Sequence, residues 1–151
     1  MKAFEDFFMM DVPLMLKKLE HHNQPAWGRM NASEMLDHLR KGVDLSLRKI
    51  PIEVVTSDED LPKYKAFLRS DKPFRPGSQK PAVYDEISAF EGNFEELKVN
   101  LMKSLVTMMA YFEKHPEHTA VHPNFGELNG EEWMLLHRKH IYHHFTQFGL
   151  T

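Results

Sequence analysis

At 151 residues the chain is long enough for one domain with a real hydrophobic core, and its 42% hydrophobic and 27% charged residues fit an ordinary globular protein. A formal charge of -3 gives no net basic field to hold nucleic acid. No apolar run reaches the roughly 18 residues that a membrane span needs, and the absence of cysteine excludes disulfides, thiolate ligands and a thiol nucleophile. Glu5, Asp6 and Asp11 interrupt the apolar N-terminal stretch, so it does not read as a signal peptide, and the chain reads as intracellular and cytoplasmic.

The first helix is predicted to open at Asp11, a good N-cap, with Pro13 in its first turn, Leu14, Leu16 and Leu19 as its apolar positions and His21-His22-Asn23 as its polar end. Phe4 to Met10 reads as a short preceding turn. After a loop carrying Trp27, Asn31 and Glu34 stand at capping-box spacing and open a second helix through Met35, Leu39, Val43 and Leu47. On its wheel His38 falls between Met35, Gly42 and Leu45 and faces inward, where it is either a core histidine bonded to a carbonyl or a ligand.

Lys49 to Glu91 holds five of the nine prolines and reads as a long crossover, with Ile52 to Val55 extended, a short helix within Asp58 to Ser70, and loop from Arg69 to Lys80. A crossover lets the flanking helices run parallel. Lys72, Arg75 and Lys80 make a modest basic cluster, read as a solvated loop or as a rim that attracts an anionic substrate. The third helix opens at Asn93 with Glu96, and Phe94, Leu97, Leu101, Leu105, Met108 and Phe112 recur at intervals of three and four. Met102, Met108 and Met109 read as core filler. Glu117 to Leu128 reads as a second loop. The fourth helix opens at Asn129 with Glu132 and stops at Gly149, a C-cap residue. The expected fold is therefore an all-α four-helix bundle in a single domain.

The last helix carries the chemistry. Four of the ten histidines, His137, His140, His143 and His144, fall within eight positions, where an even spread would place about half of one. His140 and His144 lie about 40° apart on the wheel, and such an i, i+4 pair can close on one metal ion if a third ligand comes from elsewhere. With sulfur excluded, a transition-metal site must use histidine and carboxylate, which admits zinc, nickel, iron, manganese or copper.

Three segments carry a family resemblance: Trp27 to Leu39, with the run Met35-Leu36-Asp37-His38-Leu39; His122-Pro123-Asn124-Phe125-Gly126-Glu127-Leu128; and Glu132 to Gly149, with His140-Ile141-Tyr142-His143-His144-Phe145-Thr146-Gln147. In these the chain resembles the DinB/YfiT-like superfamily of metalloenzymes, in an uncharacterised branch, while Lys49 to Glu91 matches no motif. The resemblance implies a four-helix bundle with an up-down-down-up path and a divalent metal held by His38, His140 and His144. Zinc or nickel come first, with iron or manganese next. It also implies a metal-dependent hydrolase or thiol-dependent transferase acting on a small molecule, the alternative being a non-catalytic bundle that binds a metal or small molecule. His137 and His143 flank the pair as candidates for proton transfer, or are pocket walls. Trp27 and Trp133 line a pocket mouth or pack in the core, and Gln147 bonds a ligand histidine or caps the last turn. Expected partners are a small-molecule substrate, no nucleic acid and no membrane, with a homodimer compatible with a bundle of this size.

Overall fold

In the computed structural model, which describes residues 2–48, 51–78 and 80–151, helical structure begins at once. Helix α1 (Lys2–Asp6) runs through a π-helical turn (Phe7–Asp11) directly into α2 (Val12–Leu16). Phe4, Phe8, Val12 and Leu16 form the buried stripe. Their strict four-residue spacing drifts around a helix of 3.6 residues per turn, and the wide π turn takes up that drift just ahead of Pro13. Asp11 is thus not an N-cap but a helical residue (φ −70°, ψ −44°). Leu14, expected in the core, is exposed, and the helix ends at Leu16, short of His21 and His22.

The next helices follow their caps. Helix α3 (Ala32–Ser46), α5 (Phe94–Lys114) and α6 (Gly130–Gln147) each open on a complete capping box, Asn31 with Glu34, Asn93 with Glu96 and Asn129 with Glu132. In each the Asn side chain accepts the N3 amide at 2.8–2.9 Å. Such a cap stabilises by about 1 kcal/mol. Helix α4 (Leu61–Arg69) has Pro62 in its first turn. Helix α6 stops at Gly149 (φ +72°), where the Leu150 amide reaches back 2.8 Å to the Phe145 carbonyl. A left-handed glycine permits this closure.

The expectation of an all-α four-helix bundle is overturned between α5 and α6. Strands β1 (Thr119–His122) and β2 (Gly126–Asn129) pair antiparallel, with His122 opposite Gly126 and Thr119 opposite Asn129. The segment read as loop alternates in burial, with Ala120 and His122 turned inward on β1 and Gly126 and Leu128 on β2. Gly126, at φ +77°, closes the turn as a left-handed residue. Four-residue strands give too short a period-two signal to stand out from a polar loop. A 3₁₀ turn (Ala82–Glu86) is a further element that the four-helix plan leaves out, whereas α4 lies within Asp58 to Ser70, where a short helix is expected, and α1 with the π turn covers the short turn expected over Phe4 to Met10. Ile52 to Val55 forms no strand; the Val55 amide donates 2.8 Å to the Pro123 carbonyl, laying the crossover along the hairpin turn. Lys49, the first residue of the crossover, lies outside the described residues.

Helix α3 packs between α5 and α6. Its outer edge is fixed by buried Arg40, whose guanidinium donates to Asp37 (2.7 Å), Asp44 (2.8 Å) and the Ser88 carbonyl (2.8 Å). Its C-terminal end is tied to the hairpin by His118 Nε2–H, which donates 2.8 Å to the Ser46 carbonyl. Trp133 on α6 donates from Nε1 to the Ala120 carbonyl at 3.1 Å, locking the hairpin to that helix. Among the described residues no helix is long and apolar enough to cross a membrane.

Candidate metal centre and its cavity

The inward faces of α3 and α6 meet at three imidazoles. His38 Nε2 lies 3.0 Å from His140 Nε2, and His144 Nε2 lies 3.1 Å from the same atom. One ring nitrogen from each residue falls within 4.8 Å of the other two. Two nitrogens at roughly 2.05 Å from one ion stand roughly 2.9 Å apart at 90° and roughly 3.3 Å apart at the tetrahedral angle. The two short separations therefore fit one divalent ion held on a single face.

The tautomers fit as well. Gln147 Nε2–H donates 2.7 Å to the Trp27 carbonyl, which can only accept, so the amide oxygen must face His144. That oxygen accepts His144 Nδ1–H at 2.7 Å. A neutral His144 ring then carries its proton on Nδ1 and presents a bare Nε2 to the centre, the arrangement typical of metal-ligating histidines. The Ala26 amide bonds the Gln147 carbonyl at 2.8 Å, so the Trp27 loop is held to the end of α6 twice. Gly28 belongs to this lock: at φ +81° it sits where a methyl group would stand 2.8 Å from Gln147 Nε2.

His38 has no carbonyl partner among the described residues; its ring stacks on Tyr84 at 4.9 Å between centroids. A methyl group at Gly42 would stand 2.7 Å from Tyr84 Oη and 3.6 Å from His140 Nδ1, so the bare backbone one turn beyond His38 is what admits both rings. Burial pushes Tyr84 well above the ordinary phenol range, so it is a neutral hydroxyl. Burial first, then the positive neighbourhood of His144, Lys80 and Lys41, lowers His38 to about 3. Burial lowers His144 to about 4 against the opposing Gln147 bond, and drives His140 well below its usual value. All three rings are neutral at pH 7, the form that binds a cation.

The centre opens on a cavity of about 320 Å³. None of the described residues lining it is acidic. Half-buried His143 and Trp27 form one wall, with His143 4.9 Å from His144 and 5.6 Å from Trp27 between centroids. Burial lowers His143, and the Phe74 backbone beside it works in the opposite direction. Trp133 and His137 are fully inside and stack on each other at 5.5 Å between centroids. Lys80 reaches the rim and pairs with Asp85 at 2.8 Å, whereas Lys72 and Arg75 do not line the cavity.

Sequence reasoning passed over Tyr84, Phe74 and His122, all of which line this cavity. Tyr84 and Phe74 lie in the crossover, where no period betrays an inward side chain. His122 was visible in the His-Pro-Asn-Phe-Gly run, but only its strand turns it inward.

Residues 85–151 match the family described as "Protein of unknown function (DUF1569)". The matched part carries the hairpin and α6, hence His140, His144 and Gln147, while His38, Trp27 and Tyr84 lie outside it. No curated protein and no solved structure matches the chain.

Proposed function

We propose that the chain is a metal-dependent enzyme acting on a small molecule by hydrolysis or thiol-dependent transfer, with a divalent ion held by His38, His140 and His144. The observation that carries this reading is the convergence of three neutral Nε2 atoms, one of them bared by the Gln147 bond. Zinc or nickel suits three imidazoles best, with iron or manganese as further candidates. Three protein ligands leave positions open, which marks catalytic rather than structural sites. When bound, such an ion supplies Lewis acidity and acidifies water or a thiol. Around it His38, His140 and His144 orient, Tyr84 backs the His38 ring, and Trp27 with Phe74 screens the centre from solvent. His143 is the proton-transfer group, because its ring lines the cavity beside His144 without joining the cluster. Kinship with the DinB/YfiT-like superfamily belongs to the same proposal, supported by one histidine on α3 and an i, i+4 pair on α6.

Metal analysis of the protein as isolated, and after incubation with zinc or nickel, tests the centre. About one equivalent is expected. His144→Ala and His38→Ala lose most of it while their circular dichroism stays unchanged, and absence of uptake refutes the centre. Turnover over a panel of esters, amides and thiol–electrophile pairs tests the reaction. A loaded protein inert to the whole panel refutes the enzyme and leaves a binding module.

A further inference from the structure

The cavity in front of the three-ring cluster is built without a negative charge. Every Asp and Glu of the chain lies among the described residues, and none lines it. Two cationic side chains do, Arg29 from the Trp27 loop and Lys80 from the crossover. After burial and His144, Lys80 and Lys41 lower His38, and no carboxylate opposes them. Neutral imidazoles leave the charge of a bound divalent ion uncancelled, so the whole lining favours an anion.

Arg29 is exposed at the rim and makes no hydrogen bond or ion pair with another described residue. Its backbone is nonetheless held. Gln147 Nε2–H donates 2.7 Å to the Trp27 carbonyl, the Ala26 amide donates 2.8 Å to the Gln147 carbonyl, and the Asn31 cap opens α3 two residues on. Gly28, at φ +81°, makes the turn between these ties. Gln147 therefore fixes both a ring of the cluster and the loop that carries Arg29. A guanidinium with no protein partner, on a fixed loop at a cavity mouth, presents a fork that matches a carboxylate or phosphoryl group. Lys80 is the weaker cation, half-exposed and paired with Asp85 at 2.8 Å.

We propose that the cavity takes a small molecule bearing an oxyanion on an apolar body, with Arg29 as the anchor of the oxyanion, Lys80 adding charge at the rim, and Trp27 and Phe74 against the body. Binding at Arg29 stands with or without a metal. The further statement, that this anion is the substrate presented to the metal, rests on the function proposed above.

Trp27 and Trp133, the two tryptophans of the chain, both line the cavity, so intrinsic fluorescence reads its occupancy. Chelator-treated and zinc-loaded protein is titrated at pH 7 with cyclohexanecarboxylate, cyclohexylphosphonate and the neutral cyclohexanecarboxamide. In both preparations an anion is expected to bind about tenfold more tightly than the amide and to weaken as salt is raised. The tighter of the two anions assigns the group. Arg29→Gln is expected to weaken the anion about tenfold, the worth of a charge-assisted hydrogen bond at an open site, and to leave the amide unchanged. Arg29→Lys, which keeps the charge but not the fork, is expected to recover part of that loss. Arg75→Gln removes the same charge from the loop outside the cavity and is expected to change nothing. An amide that binds as tightly as the anions, anions that bind neither preparation, an Arg29→Gln protein that binds them as the wild type does, or an Arg75→Gln loss equal to that of Arg29→Gln would overturn the anchor. Metal uptake is measured in parallel. Anion binding through Arg29 in a protein that takes up no metal keeps the anchor and refutes the metal centre, whereas anions bound only after zinc loading refute the anchor and keep the centre.

Discussion

Replacing Gln147 by Leu separates a metal centre from a mere knot of packed histidines. The side chain is 4% exposed and makes two hydrogen bonds of 2.7 Å, accepting from His144 Nδ1–H and donating to the Trp27 carbonyl. Leucine fills much of the volume but leaves both partners unsatisfied. A buried orphan costs roughly 1–3 kcal/mol. The Trp27 loop can turn its carbonyl toward solvent, so the low end applies there, and the sum is about 2–4 kcal/mol. For a chain of this size that is a fall in Tm of roughly 6–13 °C. The second effect falls on the metal alone. With Nδ1 no longer held, His144 is free to put its proton on Nε2, where it blocks coordination. Loss of such an orienting partner weakens metal binding roughly 10- to 100-fold, or about 1.4–2.7 kcal/mol. Chelator-competition titration with zinc and nickel reads this term, and thermal unfolding of the metal-free protein reads the first. Gln147→Glu divides them: its carboxylate still accepts from His144 Nδ1–H but cannot donate to Trp27, so affinity is expected to return while stability stays low. If Gln147→Leu lowers Tm yet binds zinc as tightly as the wild type, the bond is structural and the tautomer argument fails.

Gly42→Ala places a methyl group 2.7 Å from Tyr84 Oη. The expected loss is about 1–3 kcal/mol by thermal unfolding, and the double variant with Tyr84→Phe is expected to recover part of it; no recovery would mean that the clash lies elsewhere. Arg40→Met strands two partly buried carboxylates, Asp37 and Asp44, and removes the tie to Ser88. Breaking such a buried network costs about 3 kcal/mol, to be read by denaturant unfolding. Acid is expected to destabilise the metal-free protein early. His38, His122 and His137 lie at about 3 and His144 at about 4 when folded, against about 6.5 in the unfolded chain. The folded state therefore refuses protons that the unfolded state takes up, and stability, complete above about pH 6.5, falls as pH drops toward 4. Tm measured against pH is expected to decline steeply below pH 6, with more than two protons taken up on unfolding; a flat profile to pH 4.5 contradicts these burials.

The helices were legible where a local signal and a tertiary one coincide. Asn31, Asn93 and Asn129 each announce a helix by a side chain that satisfies an amide three residues on, an interaction within four residues that needs nothing from the rest of the fold. The apolar stripe of α5 agrees with its cap. The N-terminal segment misled because Asp11 and Pro13 carry the local signals of a helix start, whereas Phe4, Phe8, Val12 and Leu16 satisfy the core through a π turn that no propensity describes. The hairpin misled for the opposite reason: its strands hold through pairing with each other, Trp133 and the crossover, all non-local.

The same division runs through the candidate centre. His140 and His144 share a face because they are four residues apart, so sequence alone joins them. His38 meets them only through the packing of α3 on α6, and its inward position on the wheel was as compatible with a bonded core histidine as with a ligand. What separates those outcomes is that no carbonyl among the described residues is hydrogen-bonded to it, together with two residues that reveal nothing by pattern. Gly42 clears the space, and Tyr84, from a crossover with no periodicity, fills it against the His38 ring. His118 makes the contrast within this chain: it is as buried as His137, but its Nε2 is bonded to the Ser46 carbonyl and so joins hairpin and helix. Histidine content therefore does not pick out the reactive rings here. The partner of each ring nitrogen does, and that partner is set by which elements the core brings face to face.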